Sequence, residues 1–266
     1  MRILVVTFSI LTLAIRGFAQ CHVPSLQGAT LYESKSEIIT NISIDLQDFA
    51  PKRLICLAKA LKERYRDRDS IIVGIFSSQG AARYLAQPAL PPEPQADDYE
   101  MFHQLHGSYV YRRDIHENYV LLMPDPMIDN PGASINTKID FSTAAVPTCK
   151  LQIDNRCVLS LEHIDPPKDE TAGAVTLTAE IEPSGAVSEV RVVDLKNGES
   201  GTQRSFVDYA VKNLKSWRFE SRQNTSTMKI AYTLERVTTP LEHGISVQFR
   251  LPDRVSIQMS AIPTSH

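Results

Sequence analysis

The chain lacks several features that would assign it to a functional class. Its 266 residues include one tryptophan, and the formal net charge at pH 7 is only −3. This near balance gives no reason to expect nucleic acid or an anionic membrane surface as a partner. No Cys-x-x-Cys pair is present, which disfavours a redox motif or a zinc site. The longest apolar run is also shorter than the roughly 20 residues that a membrane-spanning helix needs.

The first residues have the pattern of a secretory signal peptide. Arg2 precedes an apolar run from Ile3 to Ile15, and the small residues Gly17 and Ala19 follow. This pattern predicts cleavage that removes residues 1–19 and exports the mature chain to the periplasm or out of the cell. An uncleaved N-terminal anchor is the alternative.

The four cysteines are Cys21, Cys56, Cys149 and Cys157. In an oxidising compartment they are expected to form disulfides, and four cysteines allow three pairings. The sequence does not choose among these pairings. A bond within the segment "CKLQIDNRC" would close a hairpin and would leave Cys21 to pair with Cys56.

Residues 20–125 have the pattern of a small α/β or α+β domain of unknown family. The stretch "ISIDLQ" at 42–47 alternates apolar and polar residues as a half-buried strand does. An amphipathic helix is predicted to begin at Pro51. The nearly continuous apolar run at 70–78 predicts a strand covered on both faces, and residues 108–125 predict a hairpin.

The rest of the chain divides into a linker and a clearer domain. Residues 126–168 are rich in turn formers and are predicted to be an irregular linker that contains a disulfide. Within 169–240, alternation predicts strands at 174–181 and 186–195 around the turn "EPSG", and a third strand follows at 226–237. The second of these strands has one slip in its alternation.

An amphipathic helix is predicted between the second and third of these strands. Its apolar stripe ends at the single tryptophan, Trp217, and Phe219 follows as the chain extends. A large aromatic side chain at this point closes one end of a core between helix and sheet, so a core role is predicted rather than ligand binding. The predicted core residues are Phe206, Leu214, Trp217 and Phe219.

The order strand, turn, strand, helix, Trp-Arg-Phe and strand over residues 170–237 resembles the C-terminal domain of TonB and, more loosely, the periplasmic end of TolA. The resemblance implies a small sheet packed on a helix, without catalysis or a cofactor. It also implies binding to periplasmic segments of outer-membrane proteins or transport components, by strand addition at an exposed sheet edge. From the resemblance alone, the candidate edge residues are Thr227, Met228, Lys229, Ile230, Ala231, Tyr232 and Thr233.

Two features modify this expectation. Energy transduction itself is not expected, because a TonB transducer keeps its membrane helix and has a long Pro-rich spacer. Residues 241–266 form a C-terminal extension, in which 243–259 could supply two further strands. These strands would cover the candidate edge, and the binding surface would then lie elsewhere.

The candidates for catalysis are weak, and the chain is predicted not to be an enzyme. Glu100, His103 and His106 have the spacing of metal ligands on one side of a helix, but no second set completes a site. Ser77 and Ser78 lie at a strand-to-helix junction without the spacing of a nucleophile elbow or a P-loop. A secreted enzyme with its site among Ser77, Ser78, His103 and His106 is one alternative, and a structural envelope component is the other.

Two mixed-charge segments complete the sequence. They are "KERYRDRD" at 62–69 and "YRRD" at 111–114, and both are interpreted as solvated surfaces rather than anion-binding sites. The sequence thus predicts an exported α+β protein of two small domains whose function is to bind another protein.

Overall fold

The computed structural model describes residues 27–87, 100–124, 136–141, 149–161, 172–197, 204–239, 241, 245–250 and 253–260. The predicted signal segment 1–19 and Cys21 lie outside these residues. The described chain forms mixed sheets with a few helices, so the predicted α+β class is confirmed. No helix in these ranges has the length and apolar character needed to cross a bilayer.

The first sheet contains six strands in chain order. They are β1 (Gln27–Glu33), β2 (Glu37–Ser43), β3 (Ser70–Phe76), β4 (Leu105–Arg112), β5 (Glu117–Leu122) and β6 (Thr137–Asp140). Only β2 and β3 are parallel, because a helical crossover connects them. The strand predicted at 42–47 ends at Ser43 instead, because Asp45 caps a 3₁₀ helix at Leu46–Phe49.

Two of the helices that the structure describes in full accompany this sheet. Helix α1 (Pro51–Arg64) begins at the predicted proline, and the short helix α2 (Gln79–Tyr84) follows β3. Alpha-helical spacing places the apolar side chains of α1 on one face, which packs against the sheet. The resulting first core includes Ile42, Phe49, Leu54, Leu57, Leu61, Ile71, Val73, Ile75, Tyr109, Val120, Cys157 and Leu159.

The second sheet contains five strands in the order β10-β9-β12-β14-β13. They are β9 (Gly173–Ile181), β10 (Val187–Asn197), β12 (Ser226–Val237), β13 (Ile245–Arg250) and β14 (Arg254–Ser260). Helix α3 (Arg204–Ser216) packs on one face of this sheet. The second core includes Val158, Leu161, Val175, Leu177, Phe206, Leu214, Trp217, Phe219, Ile230, Tyr232, Phe249 and Val255.

The predicted edge strand is wrong over part of its length, because β12 is the middle strand of the second sheet. Ala231–Val237 pair with Arg254–Ser260 of β14, while the opposite side of β12 pairs with β9. The extension at 243–259 therefore forms the two covering strands that the sequence analysis gave as an alternative. Of the predicted residues, Thr227–Ile230 have no second neighbour among the described strands.

Residues 126–168, predicted to be irregular, contain β6 and a small hairpin. Strands β7 (Gln152–Ile153) and β8 (Arg156–Ser160) pair across a turn in which Asp154 and Asn155 have positive φ angles. Asp and Asn tolerate this left-handed conformation better than most residues. The Cys149–Cys157 disulfide closes the hairpin, which is the local bond among the pairings that the sequence left open. Cys56 is also disulfide-bonded, and its expected partner lies outside the described residues.

Strand β8 contributes side chains to both cores. Cys157 and Leu159 belong to the first core, whereas Val158 between them belongs to the second. Successive side chains of a strand point to opposite faces, so one short strand can fill two cores. Strand β11 (Arg218–Phe219) pairs with β8 on its other edge and continues from α3. Strands β8 and β11 therefore connect the two predicted domains by packing, and we call this pair of strands the joint.

Polar contacts reinforce this joint. The Gln47 side chain donates to the carbonyl oxygens of Ser184 at 2.8 Å and Phe219 at 3.1 Å, and it accepts from the Ser221 amide at 2.9 Å. Gly185 lies in the same turn with a φ of +88°, and a Cβ there would lie 1.9 Å from the Phe219 carbonyl oxygen. Only glycine fits this position.

A buried arginine anchors two loops of the second sheet to β8. The guanidinium of Arg156 donates to the Glu182 carbonyl oxygen at 2.8 Å and also to the Asn224 carbonyl oxygen. The side chain is almost fully buried. These two contacts replace part of the hydrogen bonding to water that burial removes, whereas Arg156 Nε has no hydrogen-bond partner among the described residues.

The single tryptophan lies where the apolar stripe of α3 ends. Trp217 is fully buried, as are Phe206, Leu214 and Phe219, and its ring centroid lies 5.9 Å from that of Phe249 in β13. Its indole Nε1 donates to Asn213 Oδ1 at 3.1 Å, and the Tyr232 hydroxyl donates to the same oxygen at 2.9 Å. One amide oxygen therefore satisfies two buried donors.

We predict that Asn213→Ala lowers the free energy of unfolding by about 2–4 kcal/mol, because it leaves two buried donors without an acceptor. Urea unfolding followed by Trp217 fluorescence measures the loss. Lys212→Ala, on the exposed side of the same helix, serves as a control and should change stability by less than about 0.5 kcal/mol.

A second comparison isolates the shared oxygen. Tyr232→Phe should cost about 1 kcal/mol in the natural chain and nothing further in the Asn213→Ala background. Equal losses in the two backgrounds would contradict the shared acceptor.

Candidate functional site

Strand β10 forms one edge of the second sheet, and its outer half is exposed. The order of strands gives β10 a single neighbour, β9, among the described strands. From Arg191 to Lys196 every side chain is exposed. Three of these side chains are aliphatic: Val192, Val193 and Leu195 are 48 %, 53 % and 43 % exposed. An apolar edge of this kind favours pairing with another extended chain.

The register explains which face of the sheet these residues extend. Val192 lies opposite Leu177, and Leu195 lies opposite Val175. Directly opposed residues of an antiparallel pair share a face of the sheet. Since Leu177 and Val175 are buried in the second core, Val192 and Leu195 lie on the same face of the sheet as that core.

The slip in the alternation of β10 corresponds to irregular pairing with β9. The register shifts between Ser188 and Arg191 and again between Val192 and Asp194, and Glu189 has a φ of 45°. Each bulge changes which face the following side chains occupy, and the second adds Val193 to the exposed apolar surface. The alternation predicted the strand but not its edge position, and the two consecutive valines outside strict alternation were the visible signal of the irregular pairing.

The residues predicted as an edge have another role. Met228, Ile230 and Tyr232 point into the second core and are buried. Their strand pairs with β9 from Ser226 to Leu234 and with β14 from Ala231 onward. Exposed side chains such as Lys229 alternate with them on the opposite face. Strand addition along the whole predicted segment would therefore require removal of β14.

The structure brings together two of the residues considered for catalysis. His106 in β4 places its Nε2 3.0 Å from the Ser77 Oγ, just after β3, because these strands are neighbours. Ser77 Oγ donates to Gln104 Oε1 at 2.7 Å. Ser78 has a different role, since its hydroxyl accepts from the Ala81 amide and caps α2.

The surroundings of the Ser77–His106 pair differ from those of a serine–histidine–aspartate triad. Burial, with a smaller contribution from His103, lowers the pKa of His106 from 6.5 to about 4, so the imidazole resists the proton that a serine would transfer. Among the described residues, no group hydrogen-bonds to His106 Nδ1, where a triad places an orienting carboxylate. The ring instead packs edge-on against Phe49 at 5.3 Å.

A metal site at Glu100, His103 and His106 has no support in the geometry. In the part of the chain that the structure describes, no three His, Cys, Asp or Glu side chains are grouped as metal ligands. His106 lies in a strand and points inward to Ser77 and Phe49, whereas the sequence analysis considered these residues on one helix.

The neutral His106 predicts a pH dependence of stability. Its pKa in the folded chain is about 4, below the value of 6.5 for the unfolded chain. Between these values the unfolded chain binds a proton that the folded chain does not. The free energy of unfolding therefore has its full contribution from neutral His106 above pH 6.5. It falls by about 3 kcal/mol as the pH falls to 4.

The variant His106→Gln should remove this proton-linked loss, so its free energy of unfolding should fall by about 3 kcal/mol less than that of the natural chain between pH 6.5 and 4. Urea unfolding at several pH values measures it. His116→Asn is the matched control, because His116 is exposed and Asn tolerates its φ of 56°. Parallel pH profiles for the natural chain and His106→Gln would contradict the assignment.

Comparison of the chain with models of known protein families, with curated proteins and with solved structures found no match. The resemblance of residues 170–237 to the C-terminal domain of TonB therefore stays a prediction.

Proposed function

We propose that this chain is an exported, non-catalytic protein of the cell envelope that binds an extended segment of another protein by strand addition to β10. The observation that supports this proposal most directly is the exposed outer half of β10, where Val192, Val193 and Leu195 are accessible on a strand with one described neighbour. The proposed export rests on the signal-like pattern of residues 1–19.

Strand addition uses two kinds of contact at such an edge. Unpaired backbone groups of β10 would bond to the added strand, and these bonds are independent of the partner's side chains. The exposed aliphatic side chains would supply selection by contacting apolar residues of the partner at alternate positions. Burying the remaining exposed part of these three side chains contributes about 2–4 kcal/mol before the cost of association.

The proposed edge differs from the one that the family resemblance implied. Strand β12 is held on both sides from Ala231 onward, so its backbone groups there are already paired. Strand β13 is the other edge of the sheet, but its Ile245 and Val247 are half-buried and pack against the second core. The largest exposed aliphatic surface of the described sheet edges is on β10.

Charges near the edge limit which partners fit. Glu189 and Arg191 form an exposed ion pair at 2.6 Å, and Asp194 and Lys196 flank Leu195. Charged side chains on an edge strand discourage unselective pairing between strands. A partner segment with apolar residues at alternate positions and opposite charges at its ends suits this pattern.

The double variant Val192→Lys with Leu195→Lys should weaken partner binding at least about tenfold, because it places two charges on the surface that the added strand would cover. The measurement is capture from envelope extract by the tagged chain, read by mass spectrometry, followed by amide exchange on the recovered complex. Exchange should slow within residues 187–197 of the natural chain.

Leu31→Lys provides the matched control, because Leu31 is also an exposed leucine on an edge strand, β1 of the first sheet. This control should recover the same partner as the natural chain. Undiminished recovery by the double variant, or no partner recovered by a folded natural chain, would contradict strand addition at β10.

A further inference from the structure

A cavity of about 250 Å³ lies beside the first sheet. The residues that line it are Lys59, Lys62, Glu63, Arg66, Tyr111 and Arg113. It unites two segments that the sequence analysis interpreted separately as solvated surfaces, 62–69 and 111–114. We name this cavity the basic pocket.

The fold brings the lining residues of α1 and of the end of β4 together. Lys62 and Glu63 follow Lys59 by three and four residues and precede Arg66 by four and three, so all four lie along one side of α1 and its continuation. The chain then enters β3, and β4 runs antiparallel to it with Ile71 opposite Tyr111. The end of β4 therefore returns to the C-terminal end of α1, where the Arg113 amide donates to the Asp69 carbonyl oxygen at 2.8 Å.

Several contacts hold the lining residues in place. The Lys62 ammonium lies 4.7 Å from the centre of the Tyr111 ring, a cation–π distance. The Arg113 guanidinium donates to the Arg66 carbonyl oxygen at 3.3 Å and lies 2.7 Å from an Asp69 carboxylate oxygen. A side-chain hydrogen bond with Tyr111 and the charge of Asp69 raise the pKa of Arg113, so it stays charged at any physiological pH.

Positive charge dominates the pocket. Four of its six lining side chains are cationic, and its one carboxylate, Glu63, lies 3.5 Å from Arg66. Lys59 and Lys62 have no carboxylate within 4.0 Å among the described residues. Two ammonium groups without an ion-pair partner therefore face one small concave surface, although the chain as a whole has a negative formal charge.

We propose that the basic pocket binds a phosphomonoester. Such a group has a charge between −1.5 and −2 at neutral pH and three strong acceptor oxygens, which suits several converging cationic donors better than a carboxylate does. Arg66 lies near Glu63 and Arg113 is paired with Asp69, so the remaining N–H groups of these guanidiniums supply directional donors, whereas Lys59 and Lys62 act as point charges. The pocket is open to solvent, and its volume is sufficient for a phosphate with a small organic group.

The phosphomonoester has two possible sources, a soluble phosphorylated metabolite and the headgroup of a phosphorylated lipid. Both present the same dianion, and the pocket chemistry does not depend on the source. The proposal is also independent of strand addition at β10, because no residue of β10 lines the pocket.

The test measures binding of two probes to the full chain. Isothermal titration calorimetry with phenyl phosphate examines the soluble source, and co-sedimentation with vesicles containing phosphatidic acid examines the lipid source. We expect the natural chain to bind at least one probe at millimolar or lower concentration. Lys59→Gln with Lys62→Gln should weaken that binding at least tenfold, because it removes both unpaired cations while their stems still cover the helix.

The matched control is Lys212→Gln with Lys215→Gln, which removes the same charge from the exposed side of α3. This control should bind as the natural chain does. Binding of phenyl phosphate assigns the soluble source, and binding of vesicles alone assigns the lipid source. The proposal is overturned if neither probe binds, or if the pocket variant and the control lose affinity equally.

Discussion

Alternate side chains of strand β8 enter two different hydrophobic cores, and the arrangement of both sheets depends on this sharing. Val158 and Leu159 are fully buried on opposite faces of the strand. Burial of an aliphatic side chain contributes about 1.5–3 kcal/mol, so each core gains from the same few residues. The Cys149–Cys157 disulfide, with a sequence separation of 8, adds roughly 2–3 kcal/mol by restricting the unfolded chain.

This joint determines which part of the second sheet stays accessible. The turn between β9 and β10 is fixed by Gln47 and Arg156, so β10 begins at a rigid point. The middle of the sheet is covered by the pairing of β12 with β14. The outer half of β10 is held neither by Gln47 and Arg156 nor by a second described strand, and its aliphatic side chains are exposed to solvent. The proposed binding edge is thus the part of the sheet that remains after the joint and the extension have formed.

Elements with a regular pattern could be predicted from the sequence, since local spacing determines them. Helix α1 begins at Pro51 as predicted, and β12 spans the predicted residues 226–237. Strand β8 gave no such signal, because both of its faces are buried and its apolar run does not alternate. Its neighbours in the sequence are turn formers, which is why the segment was interpreted as a linker.

The position of a strand within a sheet could not be predicted, because it depends on pairing between distant residues. Local alternation is the same for a middle strand as for an edge strand, and only β14 makes β12 interior. The basic pocket and the Ser77–His106 contact have the same origin, since each requires β4 to pair with β3 across many intervening residues. The residues of both sites could be identified in the sequence, but the contacts between them could not be predicted.

The most direct test of this account is the effect of Leu159→Ala on unfolding, measured at Trp217. Leu159 lies in the first core, whereas the single tryptophan lies in the second. If β8 joins both cores into one cooperative unit, urea unfolding read by Trp217 fluorescence should lose about 2–5 kcal/mol of stability and coincide with the transition read by far-UV circular dichroism. An unchanged tryptophan transition, with a separate earlier transition in circular dichroism, would contradict the account.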